Sequence, residues 1–146
     1  MDKLDQAVKI AAKIHTGFKG RNREPAILHP IRVMMKMNTH TGKIVAVLHD
    51  VVESGKITVE ELLKKGVSKK VCRAVDLLSR NKWEKYDHYL KRVQTNSLAV
   101  KVKLEDLEDN LQQRMNQKKL SKADRMKIKK IKRAYKLLCG KKLRLK

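Results

Sequence analysis

Aromatic residues are nearly missing from this chain of 146 residues: they make up 3% of it, with one tryptophan and one phenylalanine. Any core must therefore be aliphatic, built from Leu, Ile, Val, Met and Ala. Proline is confined to Pro25 and Pro30 and there are six glycines, a composition that leans towards helices throughout. The two cysteines, Cys72 and Cys139, stand far apart in neither a metal-pair nor a redox spacing, and are expected to be reduced packing residues of a cytoplasmic protein. No apolar run is long enough to span a membrane, and the charged start Met1-Asp2-Lys3-Leu4-Asp5 does not read as a signal segment. Repeats, low-complexity stretches and linkers are also lacking. The expected fold is all-α, one domain of roughly six to eight helices.

Acids are scarce too. The formal net charge is +22, and it is unevenly spread. Residues 111–146 hold 15 Lys and Arg against one acid, Asp124, giving +14, whereas the preceding 110 residues hold 22 against 14, giving +8. Such a field draws nucleotides, polyphosphates, nucleic acid or acidic surfaces without choosing among them, and a solvated basic face accounts for it equally well.

Hydrophobic spacing predicts a helix over residues 2–16, with Leu4, Ala7, Val8, Ala11 and Ile14 on one stripe, and a basic loop from Thr16 to Pro25 carrying Lys19, Arg21 and Arg23. Pro30 suits the first turn of a helix running to about Asn38, which puts His29 at its buried mouth. Met34, Met35 and Met37 read as core filler, and His40 as a loop residue. An apolar helix is expected from about Lys43 through Glu53, a capped helix from Thr58 to Gly66, another after Ser68, then one over Trp83–Val93. The last helix is expected over Ser121–Cys139, followed by a frayed basic tail.

Two stretches carry chemistry. In Ile44-Val45-Ala46-Val47-Leu48-His49-Asp50-Val51-Val52-Glu53 an adjacent histidine and aspartate interrupt an interior-type run. Either a cation compensates them or the helix ends there and both reach water. In Leu98–Asn110 the spacing places Val102, Asp106 and Asn110 on one face, so Asp106 is the acid expected to point inward, with Glu105, Glu108 and Asp109 more easily solvent-facing.

His29, then His49-Asp50, then Asp106, stand in the order of the metal ligands of the HD phosphohydrolase superfamily. More closely, His15-Thr16-Gly17, Glu24-Pro25-Ala26-Ile27-Leu28-His29-Pro30, Leu48-His49-Asp50-Val51-Val52-Glu53 and Val102-Lys103-Leu104-Glu105-Asp106 resemble the hydrolase domain of RelA/SpoT-type proteins over roughly residues 5–115. That resemblance implies an HD-type bundle, taken over residues 1–120, and the basic helix and tail of residues 121–146 are expected to pack on the same domain. The resemblance implies a manganese-dependent enzyme that removes the 3′-pyrophosphate from guanosine 3′,5′-bis(diphosphate), ppGpp. His29, His49, Asp50 and Asp106 would be the metal ligands. Glu53, with Ser54 beside it, would handle the attacking water, and Lys19, Arg21 and Asn110 would contact substrate.

The sequence also departs from the family pattern. Ser54 stands where the family usually has a second carboxylate, Gly20 where it has an arginine that packs on guanine, Ala26 where it has tyrosine, and Leu107 where it has a basic residue. Two alternatives follow: a catalytically weakened HD scaffold that binds nucleotide or, through its basic carboxy-terminal region, nucleic acid; or an HD phosphohydrolase for another nucleotide. No synthetase-type domain is expected, and hence no pyrophosphate synthesis.

Overall fold

The computed structural model describes residues 2–145. The described residues form eight α-helices, with a single 3-10 turn at Arg21–Arg23 between the first two: α1 (Lys3–His15), α2 (Leu28–Met35), α3 (His40–Leu48), α4 (Val59–Lys64), α5 (Lys69–Leu78), α6 (Tyr86–Gln94), α7 (Ser97–Met115) and α8 (Lys122–Cys139). Strand-like pairing among these residues is limited to a single bridge between Lys19 and Pro25. Met1 and Lys146, the outer ends of the two segments expected from sequence, lie outside the described residues.

The centre is α3. Ile44 to Leu48 are all buried, so the helix is apolar on every side and must be wrapped by others. It packs against α1, α2, α5 and α7. Burying a side chain such as Leu48 or Val45 stabilises the fold by about 1.5–3 kcal/mol relative to exposure, and the buried hydrophobic set is indeed aliphatic, with Tyr89 its one aromatic among the described residues. Thr39 caps α3 by accepting from the Gly42 N–H at 3.0 Å. A Cβ at Gly42 would sit 2.8 Å from that same Thr39 hydroxyl and 3.0 Å from Met37, so glycine is what lets the cap close.

Several expectations are corrected here. The start of α3 is His40, not Lys43, because Thr39 takes the cap. Its end is Leu48, not Glu53. The His49 ring donates from Nδ1 to the Ala46 carbonyl at 2.5 Å, the acceptor a continuing helix would give to the Asp50 N–H. Ser54 likewise donates to the Val51 carbonyl and accepts from the Lys56 N–H, closing the following turn. Helix α6 begins at Tyr86 rather than Trp83, since Glu84 binds back onto the Asn81 N–H, and Trp83 is left 89% exposed. Met35 is exposed rather than core. Beyond Gly140, which ends α8 in the left-handed region at φ 73°, the tail is anchored: Leu143 is buried and Leu145 packs on the core.

Candidate metal centre

The end of α3, the first turn of α2 and the middle of α7 meet on one side of the bundle. His29 comes from α2, His49 and Asp50 from the turn closing α3, and Asp106 from α7. One ligand atom from each of His29, His49 and Asp50 falls within 4.8 Å of the others. Asp106 Oδ1 lies 2.7 Å from His29 Nε2 and 3.3 Å from His49 Nε2. Asp50 closes the ring, 3.2 Å from His49 and 3.7 Å from His29. His49 and Asp106 are buried, Asp50 and His29 only partly, so the cluster opens to one side.

The tautomers follow from the outer partners. Ala46 O can only accept, so His49 Nδ1 carries hydrogen and the Nε2 of the neutral ring is a lone pair aimed into the cluster. His29 Nδ1 meets Asp109 Oδ2 at 2.6 Å and so does the same. Asp109 is held in turn by Arg32 at 2.8 and 3.0 Å, and Arg32 by both oxygens of Glu24 at 2.9 and 2.6 Å. A carboxylate behind a ligating histidine is the usual way to fix ring orientation and raise its basicity. Asp109, expected in solvent, is therefore a support of the cluster. The readable signal was a repeat: His29 and Arg32 on α2, and Asp106 and Asp109 on α7, each three apart and facing each other.

Without a cation, the electrostatics favour charged rings. Burial alone would lower His29, but hydrogen bonds with Asp106 and Asp109 outweigh it and raise its pKa to about 10. Burial likewise opposes the charge on His49, and the Asp50 and Asp106 carboxylates override it upward. Burial pushes Asp106 up, yet the Lys103 ammonium and the two imidazoles hold it well below the ordinary carboxylate range. Lys103, nearly buried, donates to Asp106 Oδ2 at 2.8 Å, and Asn110 donates to Oδ1 at 3.3 Å. His15 Nε2 is the one buried side-chain N or O atom without a hydrogen-bond partner among the described residues, and its ring is lowered first by burial, with Asp50, His49 and His29 close enough to act on it. Two imidazole lone pairs, two carboxylates and an orphaned nitrogen alongside make a donor set that suits a divalent cation. Protonation of both rings satisfies the same contacts.

The other expected site residues are placed as follows. Glu53 follows the cluster on the closing turn and accepts from the Arg80 N–H at 2.6 Å. Its pKa is raised by desolvation and by the Asp50 charge, against that N–H. Ser54 spends its hydroxyl within the turn. Arg21 and Asn110 share a cleft of ≈ 260 Å³ with Lys103, whereas Lys19 does not line it. A second cleft of ≈ 790 Å³ holds Glu53 and shares Arg80, Tyr86 and Lys103 with the first. Sequence reasoning did not single out Arg80, Lys103 or the residues α8 supplies, because they meet only once distant segments fold together.

Neither the protein-family models nor the curated proteins include a match to this chain. Among solved structures it superposes on one reported as a metazoan ortholog of SpoT that hydrolyzes ppGpp and plays a role in starvation responses. The TM-score is 0.76 at 20% identity, over 97% of this chain and 88% of that one. The two share their fold, the all-α bundle expected of RelA/SpoT-type HD domains.

Proposed function

We propose that this chain, built on the RelA/SpoT-type HD fold, is a metal-dependent nucleotide pyrophosphohydrolase, with ppGpp the favoured substrate. The observation that carries the proposal is the convergence of His29 Nε2, His49 Nε2, Asp50 and Asp106, with both Nδ1 atoms already committed to acceptors behind them. A divalent cation held by these four, manganese by the family resemblance, would lower the pKa of bound water and neutralise charge on the phosphate under attack.

The chain's own groups do the rest. Asp109 and the Ala46 carbonyl keep the imidazoles turned inward. Lys103 occupies one oxygen of Asp106 and leaves the other to the cluster. Glu53, raised in pKa and at the edge of the larger cleft, is placed to accept a proton from attacking water. Ser54 shapes the turn that carries it. Arg80 and Lys103 line both clefts and Arg21 the smaller one, and their charges suit phosphate oxygens.

The test is incubation of purified protein with manganese and ppGpp, alongside other nucleotides. Release of pyrophosphate is expected, abolished by chelator and by His49→Ala. If no nucleotide yields phosphate or pyrophosphate, and wild type and His49→Ala carry the same metal content, the proposal fails.

A further inference from the structure

The smaller cleft has a composition that the metal centre does not explain. Six cations line it: Arg21, Arg80, Lys103, Arg114, Lys127 and Lys130. No acid lines it, although Asp124 stands behind Arg114 at 2.7 Å and Arg21 at 3.9 Å. The cations come from the loop before α2, the turn after α5, α7 and α8, so the fold gathers them from separate segments. On α7, Lys103, Leu107, Asn110 and Arg114 recur every three or four residues and present one face. Lys130 lies over the Tyr86 ring at 4.2 Å, which fixes its approach.

Gathering like charges costs free energy that packing does not return. The strain is visible: Lys130 is held below the ordinary lysine pKa by burial and then by Lys127, Arg80 and Lys103, and Arg114 below its own by burial and then by Arg21. A polyanion is the ligand that recovers this cost. From Asp106 to Arg114 is eight residues, about 12 Å of helix, which leaves room for a nucleoside between the two ends.

We propose that α8 completes the substrate site: Lys127 and Lys130, with Arg114 and Arg21, form a second phosphate-binding position, remote from the metal cluster, that selects nucleotides phosphorylated on both sides of the nucleoside. The substrate it names rests on the hydrolase reading, but the anion site is testable without turnover.

The probe is inorganic tripolyphosphate, titrated calorimetrically into the full chain without added metal. Two charge-matched double variants are compared, Lys127→Gln/Lys130→Gln in the cleft and Lys129→Gln/Lys132→Gln on the exposed side of the same helix, both checked for folding by circular dichroism. Losing two charge-assisted contacts should weaken binding about tenfold in the first pair and by less than about twofold in the second, and Lys127→Arg/Lys130→Arg should restore it. Equal losses in both pairs, or no binding by wild type, overturn the proposal. In turnover, the cleft pair should raise KM for ppGpp about tenfold while leaving a guanosine carrying only a 3′-diphosphate within about twofold; equal effects on both substrates also overturn it. If wild type hydrolyses nothing, the hydrolase reading is lost and the calorimetry still decides the anion site.

Discussion

Two ionic clusters in this bundle are made of the same kinds of side chain and differ in how their atoms meet. Around Glu84, every contact pairs a donor with an acceptor. Arg92 donates to both carboxylate oxygens at 2.6 Å, His88 Nδ1 meets one of them at 2.6 Å, and the Asn81 N–H reaches the other at 3.2 Å. Around Asp106, two imidazole nitrogens converge on one oxygen, and Asp50 closes the ring at longer range. The Glu84 cluster is complete with the atoms of the chain. In the other, both Nδ1 atoms are spent on acceptors outside the cluster, so each Nε2 points inward, carrying a proton to Asp106 when the ring is charged and a lone pair when it is neutral. Histidine and carboxylate in proximity are thus not what makes the Asp106 cluster a candidate metal centre; the direction in which the outer nitrogens are tied is.

The strongest way to break this contrast is to neutralise the shared oxygen acceptor. Asp106→Asn should abolish manganese binding and cut turnover by on the order of 10³-fold or more, because a ligand and its charge are lost together. It should also destabilise the fold by about 3 kcal/mol, since Lys103 and the imidazoles lose their common counter-charge in a buried setting. Metal content by elemental analysis and a urea unfolding curve separate the two effects. Glu84→Gln should leave manganese content unchanged.

A smaller effect is expected one layer out. Asp109→Asn keeps the shape but weakens the hold on His29 Nδ1 and the link to Arg32. Manganese affinity should fall about 10–100-fold, read by titration calorimetry, with His29 and Asp106 intact. An affinity unchanged within experimental scatter would reduce Asp109 to an ordinary ion pair of the Arg92–Glu84 kind.

Much of this was legible in the sequence, and the failures have identifiable causes. The all-helical fold follows from aliphatic periodicity and the shortage of proline, glycine and aromatics, and the four residues of the cluster were found by motif order. Asp109 was missed because its neighbours on α7 include the solvent-facing type of acid, and only the partner helix reveals which ones turn inward. The length of α3 was overestimated because apolar periodicity continues through Val51 and Val52, while the event that ends the helix is a hydrogen bond from a ring nitrogen to Ala46. Cap residues were read where a hydroxyl precedes an apolar run, as at Thr58 and Ser121, and missed at Thr39, where His40 and Gly42 disguise the helix start. The cationic cleft escaped because it is assembled from four segments, and a chain this basic gives no local sign of which lysines meet.

The smallest expected effect tests the complete cluster by itself. Contacts from Arg92, then the Asn81 N–H and His88, lower the Glu84 pKa to about 2 from an unfolded value of 4.5. A carboxylate whose pKa is depressed by folding stabilises the native state above its unfolded pKa, and that contribution disappears as pH falls through the folded one. Glu84→Gln should therefore be less stable than wild type by about 1–2 kcal/mol at pH 7, after allowing for solvent screening of a surface cluster. The gap should shrink between about pH 4.5 and about pH 2 and close below that, where wild type is protonated too. Comparing wild type with variant at each pH cancels the titration of every other acid that does not contact Glu84. The measurement is the urea midpoint at equal m across that range, without metal. A gap that stays constant to pH 2 would mean that Glu84 acts through shape and hydrogen bonding alone, unlike Asp106, whose charge the buried Lys103 and imidazoles face.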